Sequence, residues 1–441
     1  MPPPGPNSTR WRAIGRALEH RNYRLFFGGQ TLSLIGTWMT RVAVSWLVFR
    51  LTGSALLLGV VNFAGQIPTF LLAPFAGVWV DRWNKHHVLV GTQILAMLQS
   101  FALAVLAFTH ITIPEILALS AFQGLINAFD MPGRQSFMVD MVEDRSHLGN
   151  AIALNSSMVN MARLVGPAVG GLIIAGWGEA FCFLIDGFSY LAVIASLLAM
   201  RRLPRRAAAS KQAMAQALRQ GWGFVSGFAP ARSLLLLLAL VSLVGMPYTV
   251  LMPIFAGHVL GGGAHTYGFL MAAAGCGALV GAVWLAARQS VRGLTRVVPW
   301  SAALFGVGLL GFGLSHWLWV SLPLVFVAGM GMMQQMASTN TILQTVVSEE
   351  MRGRVMSFYT MAFVGMAPWG SLLVGALADK IGAPHTLVIT GCGCLLGAWW
   401  FTRRLPQVRE AIRPVYQRLG IIPEVAAGIQ TAAALTTPPE D

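Results

Sequence analysis

Four ionisable residues stand inside runs that are otherwise apolar: Arg41, Asp130, Arg163 and Asp186. Burying a charge in such a run costs kilocalories, so these residues are candidates for function, for ion pairing, or for both. Guanidinium groups can hold a polar ligand, and a carboxylate can take up and release a proton. Arg41 is either a cavity residue or one that snorkels toward the nearer membrane face. Arg163 is too deep for that and is expected in a cavity or between helices. Asp130 has Arg134 four residues on, which suggests a simple ion pair. Asp186 is read either as a partner of Arg163 or Arg41, or as the protonatable group. Among neutral side chains, Asn62 and Gln66 share a helix face, and Gln334 lies in a later apolar run.

Enzyme chemistry has little support. There is no GxxxxGK[ST] loop for a nucleotide, no HExxH and no recognisable nucleophile motif. The four cysteines, Cys182, Cys276, Cys392 and Cys394, lie in or beside apolar runs, and their spacing is not that of metal ligands. His258 and His265 flank a Gly-rich turn without the usual ligand pattern. No cofactor, no metal and no enzymatic activity are expected.

Two further stretches combine charge, glycine and proline. "GVWVDRWNKHH", residues 77–87, sits between Ala55–Trp79 and Val88–Phe108, neither of which holds a charged side chain. Gly77 allows close helix approach, and Asp81 at a helix end can interact with the positive end of a neighbouring helix dipole. Arg82 and Lys85 follow it. "RLVGPAVGGLI", residues 163–173, places Pro167 as a bend among Gly166, Gly170 and Gly171, which permit tight packing.

These residues must be positioned by membrane helices. Charged residues make up 10% of the chain against about 25% in soluble domains. Twelve apolar runs approach or exceed the roughly 20 residues that cross ~30 Å of hydrocarbon. They fall near 25–49, 55–79, 88–108, 113–133, 150–175, 181–200, 233–256, 266–287, 297–314, 317–340, 355–378 and 384–402. The net charge of +14 is spread in short clusters between the runs, not in one patch, so nucleic acid is not expected as a partner. With the N-terminus assigned to the cytoplasm, 26 of the 30 Lys and Arg residues fall on cytoplasmic segments. The N-terminal stretch is too long and too basic for a cleaved signal peptide and reads as a tail with a short amphipathic segment. The stretch beginning at 138 echoes that beginning at 343, an offset of 205 residues.

The expected fold is therefore all-α, with twelve transmembrane helices in two pseudo-symmetric six-helix halves. Its divisions are a cytoplasmic tail at 1–24, a bundle at 25–200, a cytoplasmic linker at 201–232, a bundle at 233–402 and a cytoplasmic tail at 403–441.

Over about residues 20–403 the sequence resembles the major facilitator superfamily. That family carries a Gly, three variable residues, an Asp and then basic residues between its second and third helices. Gly77, Asp81, Arg82 and Lys85 match, with Asn84 where a second Gly is usual. The resemblance implies that Asp81 meets the start of the eleventh helix, here "EEMRGRVMSF", so that Arg352 and Arg354 are its candidate partners. A Gly-Pro-x-x-Gly-Gly on helix five marks antiporting exporters in that superfamily. "LIGTWMTRVAVSWLVFRLTGSALLLG" at 34–59, "DMPGRQSFMVDMV" at 130–142 and "FLIDGFSYLAVIASL" at 183–197 look like the bacterial branch of enterobactin exporters and macrolide efflux proteins. Some of that branch have an acidic residue in helix one, where this chain has Arg41.

The resemblance implies a secondary active transporter of the inner membrane that exports a small amphipathic molecule, siderophore or drug, by proton-coupled alternating access. Its partners would be that small molecule, protons and the lipid bilayer, with a monomer as the working unit. The alternatives are a lipid-like substrate transporter or nutrient importer of the same fold, and a non-transporting scaffold or sensor.

Overall fold

The regular structure among the described residues is helical throughout. The structure, a computed structural model, describes residues 16–142, 144, 147–200, 214–288 and 290–419, without the side chains at 73–74, 77–78, 81, 139 and 214–218. After a short turn at Arg16–Glu19 come α1 (Arg21–Thr52), α2 (Ala55–Arg82), α3 (Lys85–Phe108), α4 (Ile113–Met141), α5 (Leu148–Trp177) and α6 (Glu179–Leu198). A shorter helix, α7 (Met214–Gly227), precedes the second half. That half comprises α8 (Ala229–Val259), α9 (Ala264–Ala286), α10 (Leu294–Leu314), α11 (Leu318–Val346), α12 (Glu349–Ile381) and α13 (Ala383–Arg418).

Each predicted run falls on one of the twelve long helices. Ten helical stretches are long and apolar enough to cross a membrane by length and composition. The other two expected spans fall in α4, which carries Asp130, Arg134 and Asp140, and in α13, which ends in a polar segment. Helices suit such runs because every interior backbone group is bonded within the element.

Short turns set the alternation. Gly53 ends α1 at φ 64°, and Ser54 then caps α2 by accepting from the Leu57 amide at 3.3 Å. Asn84 caps α3 by accepting from His86 N at 3.1 Å, so the residue standing where a glycine is usual serves as a cap. The two ends of the molecule differ. The basic end holds Arg16, the 83–84 turn, the 287–293 turn and Leu419; the far end holds the turns at 53–54, 178 and 382.

Large apolar side chains cover the outside, and the mainly apolar interior also buries a set of polar groups. Leu32, Leu71, Val105, Leu172 and Trp319 are exposed, whereas Gln93, Ser100, Gln335 and Thr386 are buried. That arrangement fits a lipid solvent, in which apolar surface needs no cover.

Three departures from expectation have physical causes. α4 runs on past residue 133 to Met141, through Pro132, with Asp130 and Arg134 paired one turn apart. α13 continues past 402 because Val408, Ile412 and Tyr416, four residues apart, bury one face of the extension, with Arg409 Nε donating to Thr295 Oγ1 at 3.4 Å. The linker contains α7, whose Trp222 ring lies 6.0 Å from that of Phe358 on α12. The rest of the expected tails and linker, 1–15, 201–213 and 420–441, lies outside the described residues.

Candidate functional site

A cavity of about 420 Å³ lies between the halves. α1 contributes Trp38, Thr40 and Arg41; α2 contributes Asn62 and Gln66; α3, α4 and α5 add Gln99, Asn127 and Arg163. From the second half, α8 brings Met246 and Thr249, α9 brings Tyr267 and Met271, and α12 brings Val364 and Ser371. A shallow depression of about 430 Å³ beside Arg82, Trp83, Asn84 and His87 is open surface around a single turn and gathers no residues from the second half.

Arg41 and Arg163 both reach Trp38. Their guanidinium carbons lie 4.9 and 5.6 Å from the centroid of its ring. Arg41 is exposed and lines the cavity, so its exposure is to that interior space. Among the described residues no Asp or Glu lines the cavity, and neither arginine has a carboxylate partner.

Asp186 is 2% exposed and sits behind the cavity wall. Its Oδ2 accepts from Thr40 Oγ1 at 2.8 Å and from Ser100 Oγ at 3.1 Å, and its Oδ1 accepts from Ser189 Oγ at 3.4 Å. The carboxylate thus joins α1, α3 and α6. The expected pairing with Arg163 or Arg41 is not made. On α1, Gly36 and Thr40 share the face that meets Asp186, and a Cβ on Gly36 would come within 2.5 Å of Asp186 Oδ1. Arg41 is one residue further, turned by roughly 100° toward Trp38.

The remaining candidates separate into distinct roles. Asp130, 3% exposed, is paired with Arg134 and accepts from Thr92 Oγ1 at 3.1 Å and Gln93 Nε2 at 2.8 Å, away from the cavity wall. Gln334 lies between α10 and α11, accepting from Ser301 Oγ at 3.4 Å, and does not line the cavity. Asn62 and Gln66 do line it. Gln66 Nε2 donates to Asn62 Oδ1 at 2.7 Å, and Asn62 Nδ2 donates to Ser371 Oγ of the other half at 3.1 Å.

The helix-five motif packs in two directions. A Cβ on Gly166 would come within 2.5 Å of Trp38 Cβ, and one on Gly170 within 3.2 Å of Met39 Cα, so both hold α5 against α1. Gly171 faces the second half, where Ala264 O would be 2.7 Å from its Cβ; Gly268 faces back, with Pro167 O at 2.7 Å. The α5–α9 seam and the α2–α12 seam, where Gly375 meets Gly59, together close the far end. Phe49 against His258, with ring centroids 4.9 Å apart, adds a third cross-half contact there.

At the basic end, Gly77 and the Asp81 side chain lie outside the described residues. Lys85 Nζ pairs with Asp140 at 3.0 Å, Arg82 is exposed, and Arg352 lies 3.9 Å from Glu349. Arg354 Nη1 contacts Met351 Sδ at 3.0 Å and has other interactions besides.

Residues 16–429 match the transmembrane secretion effector family of the major facilitator superfamily. The chain belongs to this family. It is 27% identical over 391 residues to the staphyloferrin A transporter of Staphylococcus aureus, covering 86% of this chain and 96% of that protein. To macrolide efflux protein A of Streptococcus pyogenes it is 23% identical over 385 residues, covering 85% and 94%. Among solved structures, a bacterial homologue of the human lysosomal transporter Spinster, in an inward-facing and unoccupied conformation, superposes with a TM-score of 0.70 at 14% identity over 88% of this chain and 98% of that one. The last likeness establishes the fold alone.

Thr40, Ser100 and Ser371 were not singled out by sequence reasoning. Hydroxyl residues are common in membrane helices, and nothing in their spacing marks them. Trp38 was not singled out either; its place between two arginines follows from the α1–α5 seam that Gly166 creates.

Proposed function

We propose that the protein is a secondary exporter of small amphipathic molecules, of siderophore or drug type, working by proton-coupled alternating access in the cell inner membrane. The observation that carries this reading is a cavity formed by both halves, with the far end sealed by paired glycines on two seams. Seams of this kind separate by rocking one bundle against the other, which would expose the same cavity to the opposite side.

The Lys and Arg bias supports a cytoplasmic position for both termini and the basic end. Asp81 is assigned to the cytoplasmic gate, meeting the start of α12 near Arg352 and Arg354 when that side closes. Asp186 is assigned the proton. Its neighbours in the carboxylate contacts are hydroxyls, and adding a proton converts one of its oxygens from an acceptor to a donor. Through Thr40 that change is passed to the α1 segment carrying Arg41. A monomer holds the complete cavity and is the proposed working unit.

The test uses proteoliposomes with the cytoplasmic face outward and an inward-acid proton gradient. Uptake of radiolabelled macrolide or siderophore that collapses with a protonophore is expected. Uptake insensitive to the gradient, or movement only in the opposite direction, would rule out proton-driven export.

A further inference from the structure

Arg41 and Arg163 place two fixed positive charges on the wall of a cavity whose lining contains no carboxylate. An arginine stays charged in any protein setting, so these charges cannot be discharged by losing protons. Stacking on Trp38 offsets only part of their desolvation, since a cation–π contact contributes about 0.5–2 kcal/mol. One ring is shared by both guanidiniums. Asp186 makes no ion pair with either of them; its oxygens accept from the Thr40, Ser100 and Ser189 hydroxyls. The other two buried carboxylates among the described residues each have an arginine beside them: Asp130 has Arg134 and Glu179 has Arg50. At Trp38 two arginines converge, and among the described residues neither has a carboxylate partner.

We propose that the cavity takes a substrate bearing a carboxylate, held by Arg41 and Arg163, with its apolar part against Trp38, Met246 and Met271. This deepens the exporter reading and rests on the same cavity. Guanidinium matches a carboxylate with two parallel hydrogen bonds, and the pair of arginines supplies more donors than one carboxylate needs. The cavity volume suits a drug-sized molecule. A permanently cationic compound would meet like charge on α1 and α5 and is disfavoured.

The test is binding, which is independent of transport direction and of coupling. The full chain is placed in nanodiscs of phosphatidylcholine, so that no anionic headgroup competes, with empty nanodiscs as the blank. Dansylglycine and its neutral amide, dansylglycinamide, differ only in the carboxylate, and both report binding by dansyl fluorescence. The acid is expected to bind more tightly than the amide by about tenfold or more. Arg41→Gln and Arg163→Gln should each erase most of that preference, weakening binding of the acid far more than that of the amide, and Arg41→Lys should keep part of it. Because the acid–amide comparison is made on the unaltered protein, misfolding of a variant does not remove the test. No binding of dansylglycine, equal binding of acid and amide, or a preference that survives both Gln variants overturns the proposal. Failure of proton-driven transport with the acid preference intact would instead count against the exporter reading alone. Adding phosphatidylglycerol to the discs should leave the preference in place; its loss would assign the arginines to a lipid headgroup and overturn a soluble carboxylate substrate.

Discussion

Asn62 on α2 donates a hydrogen bond to Ser371 on α12 at 3.1 Å, across the boundary between halves and 309 residues along the chain. The same α2–α12 seam brings Gly59 against Gly375, and the α5–α9 seam brings Gly171 against Gly268. All three contacts must part when the cavity opens at the far end. Asn62→Ala removes a hydrogen bond contributing about 1 kcal/mol, enough to shift an opening equilibrium about fivefold. Gly171→Leu is more severe, because Ala264 O already lies 2.7 Å from where its Cβ would be. Both variants should raise far-side reactivity of a cysteine placed at Thr249, with Gly171→Leu the larger effect. Unchanged reactivity in both would mean that these seams do not hold the far end shut.

Asp130 should be structural. Its pair with Arg134 is buried on the carboxylate side, while the Arg134 side chain keeps 24% exposure. Removing one partner of a buried pair generally costs 3–5 kcal/mol, and the exposure of Arg134 places Asp130→Asn at about 3 kcal/mol or less. A lowered melting temperature with substrate affinity preserved in the folded fraction is expected. An unaltered melt combined with lost transport would return Asp130 to the list of coupling residues.

Much of the architecture was legible because membrane helices announce themselves by run length. Gly53, Ser54, Asn84 and Gly178 mark turns, and each apolar run between such signals is a helix. What the runs do not encode is rotation about the helix axis. Asp186 and Arg163 were plausible partners by depth alone, but α6 turns Asp186 toward Thr40 and Ser100. Gln334 looked like lining and faces α10. Arg41 had two placements at the same depth, and run length does not choose between them; in the fold it stacks on Trp38, whose Cβ packs against Gly166. The ends of α4 and α13 were misjudged for a different reason: both carry charged residues that read as loop, while buried partners on one face keep them helical.

Orientation can be checked by labelling. After replacement of the four native cysteines, a cysteine at Gly262 should react with an impermeant maleimide in intact cells, and one at Arg404 should react only after cell rupture. Gly262 lies in the turn between α8 and α9 at the far end, and Arg404 follows the apolar part of α13 at the basic end. Labelling of Arg404→Cys in intact cells would reverse the assignment, and with it the direction of the proposed export.

Coupling is the most demanding prediction. The Asp186 carboxyl holds α1, α3 and α6 together through three hydroxyls, and Thr40, one of its donors, also lines the cavity. A proton on Asp186 turns an acceptor into a donor, so at least one of those hydroxyls must reorient. Since Thr40 precedes Arg41 directly, the change reaches the residue proposed to hold the substrate. Asparagine imitates the protonated form, being nearly the same size and carrying donors, but it cannot release a proton. Asp186→Asn should therefore abolish uphill, gradient-driven transport in proteoliposomes. Downhill exchange of labelled for unlabelled substrate should continue within about a fewfold of the unaltered rate, since neither the cavity nor the seams lose a side chain. If Asp186→Asn still concentrates substrate against its gradient, Asp186 is a packing element between three helices. If exchange is lost as well, the carboxylate is needed for the cavity's shape and the proton must be carried elsewhere.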